Sequence, residues 1–133
     1  MEHFAEYIEL TATEGAQRLN CSHDEFFERE RQGEFFAILP PDGLDERRYP
    51  AFQFYPQVDH SLLKRFIFEY RSAEVSPNML WHFLRAISKD FGGKTGVDVL
   101  LGAPVPALTS LSDMERSEAL IDVVLEELSR VGR

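Results

Sequence analysis

A chain of 133 residues is sized for one compact domain, or two small ones sharing a core. Its 44% hydrophobic and 28% charged residues exclude wholesale disorder. No apolar run approaches the roughly 18–20 residues of a membrane span, and a lone Cys21 can form neither an intrachain disulfide nor a thiolate metal site. The 14 basic and 23 acidic side chains leave a net charge of −9, which repels a phosphate backbone at long range. The excess is uneven, with 5 basic against 12 acidic side chains in residues 1–48. The first residues, Met1-Glu2-His3-Phe4-Ala5-Glu6, are acidic and unlike a signal peptide, so a soluble cytoplasmic protein is expected.

Taken in chain order, Thr11 and Glu14 form a capping box that opens a short helix carrying Ala16 and Leu19. Asn20-Cys21 marks a turn. Ser22 and Glu25 open a second helix, which Gly33 stops at its C′ position. Two capped helices about three residues apart outline a helix-turn-helix. The apolar run Phe35-Phe36-Ala37-Ile38-Leu39, bounded by Pro40-Pro41-Asp42-Gly43, predicts a strand and turn, with a return strand from Arg47-Arg48-Tyr49-Pro50. That hairpin has the form of a wing. Leu62, Leu63, Phe66, Ile67 and Tyr70 recur at helical spacing from His60 to about Ser72. Ser76-Pro77 caps a helix whose apolar stripe is Met79, Leu80, Phe83, Leu84 and Ile87, with Trp81 beside it and expected to be buried. Gly92-Gly93 reverses the chain, Thr95 caps a short helix with Val97, Val99, Leu100 and Leu101, and Gly102 to Pro106 is a loop. A last helix runs from Ser112 to about Val131. The class expected is mainly α with one small hairpin.

Catalytic patterns fail on inspection. Gly93-Lys94-Thr95 ends like a phosphate-binding loop, but its first glycine is replaced by Ser88. Ser61 and Lys64 match Ser-x-x-Lys without a companion motif, and the intervening Leu62-Leu63 read as core. His3, His23, His60 and His82 never fall four residues apart, and Cys21 with His23 lacks partner ligands. No nucleophile, acid and base converge, so the expectation is a non-enzyme with no catalytic residues, no cofactor and no metal.

The string Leu10-Thr11-Ala12-Thr13-Glu14-Gly15-Ala16-Gln17-Arg18-Leu19-Asn20-Cys21-Ser22 resembles the opening of excisionase-type, MerR-like DNA-binding domains. The Gly33-Glu34 step resembles their wing entry, and Arg47-Arg48-Tyr49-Pro50-Ala51-Phe52-Gln53-Phe54 resembles the segment leading into a second module. Further on, Val75-Ser76-Pro77, Leu80-Trp81, Phe83-Leu84 and Phe91-Gly92-Gly93-Lys94-Thr95-Gly96-Val97-Asp98-Val99-Leu100 are similar to the Xre/MbcA/ParS-like toxin-binding domain of bacterial antitoxins. Together the resemblances span about residues 10–102. They imply a winged helix-turn-helix over 1–56 and a helical toxin-binding module over 57–133, with Pro77, Trp81, Gly92, Gly93, Lys94 and Thr95 marking the module. The partner implied is an NAD-degrading RES-type toxin, neutralised by covering its active-site cleft.

Two departures matter. Gly96 stands where the family usually has proline, which loosens the start of the short helix. The second helix of the N-terminal pair carries Asp24, Glu25, Glu28 and Glu30 against Arg29 and Arg31, a balance that phosphate repulsion penalises on a recognition helix. The leading expectation is therefore an antitoxin-like, protein-binding regulator. One alternative is a DNA-binding transcription regulator using Arg29, Arg31, Arg47 and Arg48. Another is an acidic DNA mimic. The last helix can either complete the core or mediate self-association through Ile121, Val124, Leu125 and Leu128, and a homodimer is expected for a chain of this size.

Overall fold

The computed structural model describes residues 6–40 and 46–131. Among these the chain is mainly helical, with six α-helices: α1 Ala12–Leu19, α2 His23–Arg31, α3 His60–Ser72, α4 Pro77–Arg85, α5 Gly96–Leu100 and α6 Asp113–Val131. Two short antiparallel pairs join β1 (Glu9–Leu10) to β2 (Tyr49–Pro50) and β3 (Ile87–Ser88) to β4 (Lys94–Thr95).

Local chemistry accounts for the helix ends. Thr11 and Glu14 exchange capping hydrogen bonds around the first turn of α1, and Ser112 with Glu115 does the same for α6. Ser22 caps α2 by accepting from the Glu25 amide, and Asp59 caps α3 by accepting from the Leu62 amide. Three helices close in the same way at their C-termini. Left-handed residues Asn20, Gly33 and Glu74 each turn two successive amides back onto the last carbonyls of α1, α2 and α3. Gly33 is the stop expected from the sequence. Asn20 and Glu74 do the same work with a side chain, at the steric cost that a Cβ pays there.

The strand expected over Phe35–Leu39 does not form. One antiparallel bridge, Ile38 to Arg48, is all that remains of the wing pairing among the described residues, and Tyr49–Pro50 pairs with the N-terminal segment instead. Pro41, Asp42 and Gly43 of the expected turn lie outside the described residues. Side chains take the place of a neighbouring strand. The buried Gln53 amide accepts from the Phe36 N–H (2.8 Å) and donates to the Phe36 and Pro50 carbonyls (3.0 and 3.2 Å). Asn78 accepts from the Leu39 N–H (3.0 Å) and donates to the Leu39 carbonyl (2.9 Å). With its backbone groups satisfied by amides, the segment has no need of a ladder.

Two apolar clusters result. The smaller packs Ala16, Phe26, Phe35, Ala37 and Tyr49 inside the helical pair. The larger joins Phe36, Ile38 and Phe52 to the buried faces of α3, α4, α5 and α6, so the segment after the helical pair shares a core with the C-terminal helices while the helical pair keeps a cluster of its own. Trp81 sits at the centre of the larger cluster, 2% exposed. The buried face of α6 is Leu120, Ile121, Val124 and Leu128. This corrects the self-association set: Ile121, Val124 and Leu128 complete the protomer's own core, because α6 packs on α3 through them, and only Leu125 is exposed.

Gln53→Leu leaves the Phe36 amide buried and unpaired, at about 1–3 kcal/mol for each such group, and it should lower the urea midpoint without changing the slope. Glu74→Gly relieves the left-handed strain at an exposed site and should raise the same midpoint, whereas Gly33→Ala should lower it. An unchanged midpoint for Gln53→Leu would remove the amide clamp from this account.

Candidate partner-binding surface

The region singled out by the sequence resemblance is a small hairpin set on the helical core. Strands β3 and β4 are joined by a 3-10 turn, Lys89–Phe91, followed by Gly92 and Gly93. Ser88 starts the turn by accepting from the Asp90 amide, and the Gly93 amide returns to the Ser88 carbonyl at 2.9 Å. Gly92 and Gly93 have φ of +70° and +82°, the region that L side chains avoid. Phe91 anchors the turn, fully buried and edge-on to Phe83 at 5.9 Å. Thr95 then caps α5 through reciprocal bonds with Asp98.

Gly96 has a structural cause. A Cβ there would lie 2.6 Å from Leu84 Cδ2 and 3.2 Å from Leu84 Cα, so α5 approaches α4 closely enough that any side chain would force the buried Leu84 to shift. Gly96 thus has a packing role in addition to the looser helix start expected from the sequence. The glycine brings the hairpin base onto α4, and a proline ring would not fit in its place.

The six marker positions divide by burial. Trp81 and Thr95 are buried, Lys94 is half-buried, and Pro77, Gly92 and Gly93 are exposed. Trp81 lies parallel to Phe52, 5.7 Å between centroids and 3° between planes, with the Arg85 guanidinium 5.0 Å from the indole. Its indole N–H donates to Glu9 (3.1 Å), and Tyr7 packs against the same ring at 6.1 Å while its hydroxyl reaches Thr95 at 3.3 Å. The N-terminal segment thus bridges two marker residues far apart in sequence. Trp81 holds the scaffold together, and the surface is presented by the exposed residues around it. Ile87, opposite Thr95 in the hairpin register, is 77% exposed.

The arginines assigned to DNA are engaged elsewhere. Arg29 pairs with Glu34 (2.9 Å), Arg31 with Glu28, and Arg47 with Glu30 (2.8 Å). Arg48 meets Glu46 at 3.1 Å through a buried nitrogen that makes no aligned hydrogen bond. Each positive charge has a carboxylate within ion-pair distance. The α2 face is also less acidic than its sequence suggests, because Glu30 turns inward to accept from the Tyr49 hydroxyl at 2.6 Å. Asp24, Glu25 and Glu28 stay exposed. Sequence reasoning missed Glu30, Tyr49, Gln53, Asn78 and Arg71 as a polar framework, since isolated polar residues carry no periodic signal.

No group of three or more His, Cys, Asp or Glu is placed to hold a metal ion among the described residues, and no helix there is long and apolar enough to cross a membrane. No protein-family model, curated protein or solved structure matches the chain.

The carboxylates and phenols give stability a defined pH window. The Thr11 amide bonded to Glu14, the Arg31 guanidinium at Glu28 and the Ser112 amide at Glu115 hold these carboxyls below the ordinary value of 4.5. The unfolded chain therefore binds more protons in acid, and stability present above pH 4.5 is lost as pH falls through the depressed values. Burial raises the phenols of Tyr49 and Tyr70, assisted by Glu30 at Tyr49 and by the Glu127 charge at Tyr70. These phenols stay protonated in the fold above pH 10, where the unfolded chain ionises, so stability falls again in alkali. Urea midpoints measured from pH 2 to 11 should trace both limbs, and the acid limb should shrink in a Glu14→Gln, Glu115→Gln double variant.

Proposed function

We propose that the protein is a non-enzymatic, protein-binding regulator of antitoxin type, in which a helix-turn-helix of altered surface carries a helical partner-binding module. The single observation behind this reading is the Ile87–Thr95 hairpin. Its base is held by Phe91, by the Thr95 cap and by the close approach of Gly96 to Leu84, while its outer side offers Ile87, Gly92 and Gly93 to solvent. A rigid support under an exposed apolar side chain limits the ordering cost of association. The resemblance of Ser76-Pro77, Trp81 and Gly92-Gly93-Lys94-Thr95 to toxin-binding domains supplies the partner class, an NAD-degrading RES-type toxin. The acidic body steers encounter with a basic cleft, acting mainly on the association rate.

The DNA-binding alternative loses its chemistry here, because Arg29, Arg31, Arg47 and Arg48 would each have to leave a carboxylate before meeting a phosphate. Duplex DNA carrying the gene's own promoter should bind no more tightly than the roughly 10⁻⁶ M of non-specific complexes at physiological salt. A Kd near about 10⁻⁸ M, as in operator complexes, would falsify this part of the reading.

The positive test is co-purification with a RES-type toxin, followed by NAD consumption with and without the protein. Ile87→Asp and Gly93→Val should release the toxin while the far-UV spectrum stays helical. Retention of full inhibition by both variants would move the partner surface away from the hairpin.

A further inference from the structure

At the N-terminal end of α4 lies a cleft that shares no residue with the hairpin and that the partner reading does not use. Its walls are the Phe36–Leu39 segment, the C-terminal half of α3, the Val75–Asn78 stretch and Leu80, and its volume is about 250 Å³. That is just below the roughly 300 Å³ at which small-molecule sites begin, so its occupant is compact. Ile38, Ile67, Val75 and Leu80 make the surface apolar. Tyr70 is on the same wall, 2% exposed, and adds its ring to the lining.

At one end the cleft shares Glu30, Arg47 and Arg71 with a second hollow, of about 360 Å³, which adds Arg31 and Phe27. Three arginines therefore converge on a protein whose net charge is −9. Among the described residues their local balance is positive. Glu28 offsets Arg31 and Glu30 offsets Arg47, but Arg71 has no carboxylate within ion-pair distance among the described residues. Its two terminal nitrogens donate to the Glu30 and Arg31 carbonyls, at 2.8 and 3.0 Å, at the C-terminus of α2. The helix end offsets part of that charge, about half a unit. An apolar cleft opening onto a net positive guanidinium cluster has the chemistry of a site for an amphiphilic anion.

We propose that this cleft binds a compact amphiphilic carboxylate, its apolar body between Ile38, Ile67, Val75 and Leu80 and its acid group against Arg71, with Arg31 and Arg47 adding to the local potential from within their pairs with Glu28 and Glu30. The ligand would touch α2, α3 and α4 at once, joining the helical pair to the C-terminal helices. The site stands apart from the hairpin, so its failure and that of the toxin reading are separable.

Octanoate is the probe, with octan-1-ol and octylammonium as neutral and cationic controls, followed by amide chemical shifts of the whole chain. Octanoate should bind saturably, at least fivefold tighter than either control, and move the amides of Ala37, Ile38, Ile67 and Val75. Arg31→Gln, at an exposed position, should weaken octanoate severalfold and leave octan-1-ol unchanged. Val75→Trp should abolish binding by filling the cleft. Where that variant loses its folded spectrum, Arg31→Gln and the ligand series decide alone. No saturable binding, equal affinity for the three probes, or shifts confined to residues outside the cleft would overturn the proposal.

Discussion

The parallel stack of Phe52 on Trp81 is the contact on which the rest of the fold depends. Phe52 comes from the turn that ends the N-terminal segment, and Trp81 from the middle of α4. Their two rings bury the largest apolar surfaces at the junction and bring Phe36 and Tyr7 to the same place. The C-terminal helices complete their core with residues from the N-terminal segment. The small cluster around Phe26 is lined by only a handful of side chains, and the larger one takes Phe36, Ile38 and Phe52 from outside the C-terminal helices. The indole keeps its one polar group satisfied through Glu9, which also fixes the N-terminal segment over α4.

Around that stack, polar side chains act as backbone substitutes. Gln53 and Asn78 occupy positions where a sheet would use a neighbouring strand, and Arg71 closes the carbonyl end of α2. A primary amide can accept and donate at once, which lets it mimic both halves of a peptide pairing. The extended segment Phe36–Leu39 is therefore held between two amides, and the helical pair is attached to α3 through a guanidinium. The stretch 1–48 pairs a third of its acidic side chains internally. Carboxylates that seem in excess along residues 1–48 include Glu28, Glu30, Glu34 and Glu46, each paired with an arginine of that segment.

The hairpin and the arginine cleft represent opposite uses of the core. One is an exposed apolar tip on a rigid base; the other is an apolar recess with a charged mouth. Both are framed by α4, whose inner face is committed to Trp81, Leu80 and Leu84. Close approach at Gly96 and the anchor at Phe91 leave the hairpin little freedom to adapt. The proposed partner contact consequently rests on shape already present, and the cleft on charge already assembled.

Much of the helical framework was legible in the sequence because its signals are local. Capping pairs Thr11–Glu14, Ser112–Glu115 and Ser76-Pro77, the stop at Gly33 and the stripe from Leu62 to Tyr70 each act within a turn or two of chain, so residue order alone determines them. The buried Trp81 was legible too, from its apolar neighbours. What only the tertiary structure decided involves residues distant in sequence. The apolar run at Phe35–Leu39 reads as a strand until Gln53 and Asn78 meet its backbone, from 17 and 39 residues away. The α6 stripe reads equally as core or interface until α3 covers Ile121, Val124 and Leu128. Gly96 reads as a weakened helix start until Leu84 stands 2.6 Å from its absent Cβ. Whether an arginine is free for a ligand depends on which carboxylate the fold brings beside it, and periodicity carries no record of that distance.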